Sequence, residues 1–459
     1  MAESVRARLF AVWRRVLSLS WPVMAEQVLR TLMRTTDIVV TGLFSPAAIA
    51  AVGLADLYAR FPLWVGLGMG SGAIALSSQD TGSGATANRD EAISQALVVG
   101  AVVSVPVAVL GVLFGEPAIA LLGAPPEVAR VGGRYLAIIL ATAPARHVGL
   151  IAARSLQGTG DTRTPMYVNI VANGLNIAGS VTLGLGLFGA PRLSVVGVGI
   201  ATAAANVFTA TMLVGALATG WADADLARPR DLVITSQLLR VSAPSVAEGL
   251  ASTLAEFPLN AILLGFGTEV NAAFHIGRRL YQQVTGPLSR GLYVGASVLV
   301  GQSLGEGAAG EARFQGWATV GLGVLTVGSF GVLLAVAAGP VVAVFTDDAA
   351  TVGYATDFAR VYGLTAPFLV TFTVLQGSLS GASETRIPFL ARTSGLVLFM
   401  LGFTYLFGVV LGYGVVGAYL GLGLTYVWMA FVVVASFHAG GWARRATSML
   451  EERGSLPTE

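Results

Sequence analysis

Apolar residues along this chain do not recur with the spacing of a half-buried strand or a surface helix. They run on in long stretches, separated by short polar segments rich in Gly and Pro. Against the ~20 residues that a helix needs to cross a bilayer, twelve stretches qualify, at about 16–43, 48–78, 92–115, 132–153, 165–188, 194–219, 239–266, 271–303, 314–339, 357–380, 387–411 and 415–440. Backbone polar groups in lipid must be satisfied internally, and these stretches are too long and uniform for barrel strands. The pattern therefore predicts an all-α integral membrane protein with twelve transmembrane helices.

Composition agrees. Of the 459 residues 54% are hydrophobic and 11% charged, against roughly 25% charged in a soluble domain. All 27 basic residues are Arg and the net charge is +2, which speaks against a nucleic-acid partner. With no Cys there is no disulfide, thiolate nucleophile or thiolate metal ligand, and His147, His275 and His438 are too far apart for metal-ligand spacing. A cleaved signal peptide is not expected, because the first apolar stretch contains Glu26, Arg30, Arg34 and Asp37.

Charge also orients the chain. The two termini and the segments following even-numbered helices hold sixteen Arg, from Arg6 to Arg453 and including Arg392, whereas the opposite side holds three, Arg130, Arg134 and Arg192. The positive-inside rule then places both termini in the cytoplasm of a multi-pass cell-membrane protein.

The chain repeats itself. RSLQGTGDTRTP at 154–165 and GSLSGASETRIP at 377–388 share six of twelve positions at an offset of 377 − 154 = 223, and Asp161 exchanges for Glu384. Ser20, Pro22, Ala25 and Glu26 recur as Ser242, Pro244, Ala247 and Glu248 at 244 − 22 = 222, and Ala143-Pro144 as Ala366-Pro367 at 223. These offsets predict two homologous six-helix bundles, 1–219 and 239–459, joined by a cytoplasmic linker at 220–238. Six being even, both bundles enter from the same side, so the expected relation is a pseudo-two-fold along the membrane normal. In the repeated loops Gly158, Gly160 and Gly381 suit a tight turn, and Pro165 and Pro388 suit the first turn of the next helix.

RSLQGTGDTRTP resembles the loop motif of the MATE (multidrug and toxic compound extrusion) transporters. TDIVVTGLFSPAAIAAVGL at 36–54, LSSQDTGSG at 76–84 and VGQSLGEG at 300–307 extend the resemblance over nearly the whole chain. It is closest to the DinF-like branch, since APFLVTFTVLQ at 366–376 lacks the acid that the NorM-like branch carries in its tenth helix. The resemblance implies export of amphipathic, often cationic compounds in exchange for H⁺ or Na⁺, with no further cofactor. A small-molecule substrate and membrane lipid are the implied partners of a monomer.

Charges inside the spans narrow the site. At 100° per residue Glu26, Arg30, Arg34 and Asp37 fall at about 0°, 40°, 80° and 20°, a single polar stripe. Such a stripe either faces an internal cavity or is satisfied as helix-surface ion pairs. TDIVVTG matches the place where the family carries its coupling carboxylate, so the resemblance implies that role for Asp37. Asn169, Asn173, Asn176 and Ser180 share one face of the fifth helix, where they either bond neighbouring helices or line a cavity. The family's Asn-x-x-x-Asp pattern there aligns with Asn176 and Ser180, so the second acid is missing. Asn173, Asn176, Ser180 and Thr202 become the implied neighbours of Asp37, a set that suits a proton better than Na⁺.

In the seventh helix Glu248, Ser252, Glu256 and Asn260 step by four along one face. Glu26, Arg30, Arg34, Glu248, Glu256 and Asn260 are the expected lining of the substrate cavity. Glu248 and Glu256 either attract a cation or pair with Arg30 and Arg34; Asp56 and Arg60 suit an i,i+4 pair. An enzyme is not expected, as neither H-E-x-x-H nor G-x-S-x-G occurs. A flippase for a lipid-linked saccharide, from a related superfamily, is the alternative, but it calls for extra helices and a strongly basic cavity.

Overall fold

The computed structural model describes residues 2–455. Helices α1 (Ala2–Gly42), α2 (Pro46–Ser83) and α3 (Thr86–Leu121) are followed by the bent pair α4 (Pro126–Ala141) and α5 (Ala143–Thr159), then α6 (Arg163–Leu185) and α7 (Ser194–Ala218). Beyond the linker come α8 (Leu232–Phe266), α9 (Thr268–Gly305), α10 (Ala309–Gly323), α11 (Ser329–Val336) and the short α12 (Ala338–Val342). The chain closes with α13 (Ala349–Gly381), α14 (Arg386–Ser394), α15 (Val415–Ala439) and α16 (Gly441–Glu452). Wider π-helical turns at Val324–Gly328 and Gly395–Val410 continue α10 into α11 and extend α14.

Nine of these spans are long and apolar enough to cross a membrane, and α4 with α5, bent by 47°, forms a tenth. α1 and α9 occupy the two remaining expected spans; they carry more charge, with Glu26, Arg30, Arg34 and Asp37 on the first and Arg278, Arg279 and Arg290 on the second. The protein is thus a twelve-helix membrane protein. One expected helix differs: 132–153 is broken at Thr142, where Pro144 occupies the first turn of α5 and cannot donate to the turn before it. Its repeat counterpart Pro367 lies inside the unbroken α13.

The helices gather into two compact units. The C-terminal unit comprises Ala243–Glu459 together with Met1–Met24 and Gly82–Gly84; the N-terminal unit comprises Ala25–Thr81 and Ala85–Ser242. Hence α1 contributes its first half to one unit and its polar half to the other. In the N-terminal unit Val40, Ala55, Leu136, Ile139 and Val198 pack as one core. In the C-terminal unit Phe274, Tyr281, Phe358 and Tyr362 do so, and Val12 and Val16 of α1 pack with Leu292 and Val374. Asp348 caps α13 by accepting from the Thr351 amide at 2.8 Å, and hydrogen bonding from Thr351 holds its carboxyl below the usual carboxylate range.

The two repeated loops share one construction. Asp161 Oδ1 accepts from the amides of Arg163 (3.1 Å) and Thr164 (2.9 Å), and Glu384 Oε1 from those of Arg386 (3.0 Å) and Ile387 (3.4 Å). The acid exchanged between copies satisfies otherwise orphaned N–H groups at the start of α6 and α14. Gly160 takes φ +102°, as a turn glycine should, and its counterpart Ser383 takes φ +58° without being Gly. Gly158 and Gly381, expected in the turn, lie instead within α5 and α13. A Cβ on Gly158 would stand 1.9 Å from Ser77 Oγ and one on Gly381 2.1 Å from the Ser297 carbonyl, so their task is close helix approach.

The linker is shorter than the expected 220–238, because α8 begins at Leu232, and its last residues before that helix are held in place. Glu91 Oε1, on the buried start of α3, accepts from the amides of Arg230 and Asp231, the latter at 2.7 Å. Gln95 Nε2 donates to the Asp231 carbonyl at 2.9 Å, and Ser94 Oγ accepts from the Ala227 amide at 2.9 Å. Residues 227–231 are therefore bonded to the N-terminal unit.

Candidate functional site

In the N-terminal unit α1, α6 and α7 bring four of the expected residues into one hydrogen-bonded chain. Ser180 Oγ donates to Asp37 Oδ1 at 2.7 Å and lies 3.4 Å from Asn176 Oδ1; Asn176 Nδ2 donates to Thr202 Oγ1 at 3.0 Å. Asn176 and Ser180 are wholly buried. Thr202 passes the chain to its own helix by donating to the Val198 carbonyl at 3.1 Å. Asp37 is thereby joined through neutral groups to two other helices. The buried amide nitrogen of Asn173, one turn earlier, has no partner among the described residues, while Asn169 donates to the Pro165 carbonyl at 2.8 Å and serves its own helix.

The rest of the α1 stripe divides. Glu26 is buried and accepts from Arg30 at 2.7 Å, an i,i+4 pair within the helix. Arg34 stands in the field of Arg30, Asp56, Arg60 and Tyr135. Asp56 does not serve Arg60 alone, because Arg34 and Arg146 also stand in its field. Arg146 was not foreseen. It lies in PARHVGL just past the α4–α5 bend, inside a span whose polar residues show no stripe. His147 beside it has Nε2 2.8 Å from the Pro62 carbonyl, and its ring fills the space that a Cβ on Gly66 would need.

In the C-terminal unit Glu248 and Glu256 each meet a guanidinium of that unit. Glu248, 6% exposed, accepts from Arg392 Nε and, at 2.7 Å, from Gln376 Nε2. Arg392 also lies over the Phe372 ring at 4.8 Å. It is one of the sixteen Arg that the charge bias assigns to the cytoplasmic side, yet it falls inside the expected span 387–411 and is the partner of a buried acid. Glu256 pairs with Arg278 at 2.9 Å. Asn260 donates to the Glu256 carbonyl at 2.7 Å and its Oδ1 meets His275 Nε2 at 2.8 Å.

The hydrogen-bonded chain around Asp37 has no copy in the second half. Asp37 corresponds to Leu259 at an offset of 222, and Asn176 and Ser180 correspond to Phe399 and Phe403 at the offset of 223 that holds from the repeated loop onward. The fold is duplicated, but the carboxylate site is not.

Comparison with known proteins follows the same lines. The family model described as MatE matches residues 22–182 and again 244–406, two segments whose starts differ by 244 − 22 = 222. A protein of Rhodopseudomonas palustris named probable multidrug resistance protein NorM is 28% identical over 450 residues, covering 93% of each chain. A Thermotoga maritima protein of the same name is 25% identical over 449 residues, covering 94% of each. Among solved structures, MATE in the bent conformation superposes with a TM-score of 0.86 at 19% identity over 96% of this chain and 97% of that one. An outward-facing multidrug resistance MATE family transporter of the MOP superfamily gives 0.81 at 21% identity over 95% and 96%. At these identities the structural likeness speaks for the fold alone.

Proposed function

The chain belongs to the MatE family, and from that premise we propose that it is a secondary active transporter that exports amphipathic organic compounds, cationic ones among them, by alternating access. Its relatives bear the name of multidrug resistance proteins, which supports this reading over a flippase for lipid-linked saccharides. The DinF-like assignment is part of the proposal, supported by the absence of an acid from 366–376. So are cytoplasmic termini, supported by the Arg bias, and action as a monomer.

The observation that carries the mechanism is the bond from Ser180 Oγ to Asp37 Oδ1. While Asp37 is ionised it accepts from Ser180 and fastens the second half of α1 to α6, and through Asn176 to α7. A proton on Asp37 removes the charge and leaves Ser180 a neutral carbonyl oxygen in place of a carboxylate, which weakens the charge-assisted bond and loosens the tie among the three helices. Protonation from one side of the membrane and release to the other would couple that change to substrate export. One carboxylate whose hydrogen-bonded chain is made of neutral hydroxyls and an amide supports H⁺ over Na⁺, which calls for several oxygen ligands. Efflux of a cationic dye from vesicles holding the purified chain, driven separately by a pH and a Na⁺ gradient, tests the proposal. Transport driven by ΔpH alone is expected; transport driven by Na⁺ alone contradicts the proton reading, and none under either gradient contradicts antiport.

A further inference from the structure

Away from the Asp37 site, α3 and α4 form a groove of about 680 Å³ whose lining includes Val112, Leu113, Glu116, Ala120, Arg134 and Ala137. Two glycines make its floor. A Cβ on Gly115 would stand 2.6 Å from the Gly133 carbonyl and one on Gly133 2.4 Å from Glu116 Cα, so the two backbones touch and the side chains on either hand stand apart. The helix is also bent here, with Phe114 at φ −119° and Pro117 following.

Glu116 and Arg134 both line this groove, and among the described residues neither has a hydrogen bond, an ion pair or a ring contact. Two opposite charges that share a groove and do not answer each other are unusual in a span, where charge is costly unless paired or wetted. Their depth accounts for it. Glu116 is five residues, ~7 Å, from the end of α3 at Leu121, and Arg134 eight residues, ~12 Å, from the start of α4 at Pro126. Both thus lie toward the level where headgroups meet hydrocarbon. The surroundings are apolar and exposed, as a lipid-facing surface would be, with Leu110, Leu113, Phe114 and Leu121 all uncovered. The fold does not require the pair. The repeat places Gly339 and Asp357 at the matching positions (offset 223), and Asp357 meets Arg360 at 3.3 Å instead. A second groove, lined by residues such as Ile262, Phe266, Tyr405 and Val409, contains no charged side chain.

We propose that the α3–α4 groove binds a phospholipid with a primary-amine headgroup, phosphatidylethanolamine in type, with its phosphate on Arg134, its ammonium on Glu116 and its chain along Val112, Leu113 and Ala120. A carboxylate and a guanidinium held apart match a phosphate and an ammonium held apart, and the volume suits a small-molecule site of ~300–1,000 Å³. A trimethylammonium headgroup offers no N–H to Glu116. In the orientation proposed above the site lies in the outer leaflet. It is independent of the Asp37 mechanism and would stand if that failed.

The test is native mass spectrometry of the purified full-length protein offered equal dioleoyl phosphatidylethanolamine and dioleoyl phosphatidylcholine. The wild type is expected to retain the ethanolamine lipid about tenfold over the choline lipid, the size of one charge-assisted contact. Glu116→Gln should bring the ratio to about one while lipid is still retained, and Arg134→Gln should lower retention of both. Ala120→Trp, which fills the groove and leaves both charges in place, should also lower retention. A wild-type ratio near one, equal retention of phosphatidylglycerol, or a preference unchanged in all three variants would overturn the proposal. Both charges are exposed, so wild-type melting curves are expected throughout.

Discussion

Glu248 is the acid to which coupling would pass if Asp37 did not carry it, and its surroundings predict a structural part instead. Its side chain is 8% exposed and accepts from Arg392, 27% exposed, and from Gln376 at 2.7 Å. Removing one member of a buried pair leaves an unanswered charge, at about 3–5 kcal/mol. Because Arg392 keeps a quarter of its surface, the lower end applies, about 3 kcal/mol for Glu248→Leu, a hundredfold in the folded ratio. Arg392→Leu should cost a similar amount. The double replacement removes both charges together and should recover most of the loss, giving a coupling of about 2 kcal/mol or more. Intrinsic Trp fluorescence on heating in detergent, read for wild type, both single variants and the double variant, measures it. If the two losses simply added, or if Glu248→Leu melted with the wild type while efflux stopped, Glu248 would be a transport residue and not a partner of Arg392.

Ser180→Asp places a second carboxylate where Oγ now lies 2.7 Å from Asp37, and two carboxylates so close must share a proton or a cation. Efflux should become responsive to a Na⁺ gradient, and an unchanged ion dependence would contradict this placement of Ser180. Glu91→Ala removes the acceptor for the Arg230 and Asp231 amides, two bonds of ~1.5–3 kcal/mol each. Tryptic cleavage after Arg230 should become several-fold faster, and wild-type resistance would show that the linker is held elsewhere. Reporters active only outside the cell should be silent at the C-terminus and active at Asp347-Asp348; the reverse would contradict the orientation drawn from the Arg bias.

The helices were legible because lipid makes long apolar runs the only solution for a spanning backbone, and the duplication because the loop at 154–165 must cap a helix and pass a glycine across a neighbour in both copies. The meeting of Asp37 with Asn176 and Ser180 was legible only through family resemblance, since periodicity places residues on a face of one helix and says nothing of which faces meet. The partners of Glu248 and Glu256 lie 144 and 22 residues away, at Arg392 and Arg278, separations that no helical spacing encodes. Arg392 was hidden by its place near the end of a span, where a cytoplasmic charge and a buried partner look alike in the sequence. Gly158 and Gly381 were misread for a related reason, because a glycine needed for close approach and one needed for positive φ are the same letter.

The most direct test of the account is efflux by Asp37→Asn. Asparagine keeps the size of the side chain and can still accept from Ser180, yet it holds permanently the uncharged condition of the protonated acid. With the variant reconstituted beside the wild type under the same pH gradient, and cationic-dye binding checked in both, the account predicts retained binding and loss of ΔpH-driven efflux. Efflux at the wild-type rate would contradict it, reducing Asp37 to a structural partner of Ser180.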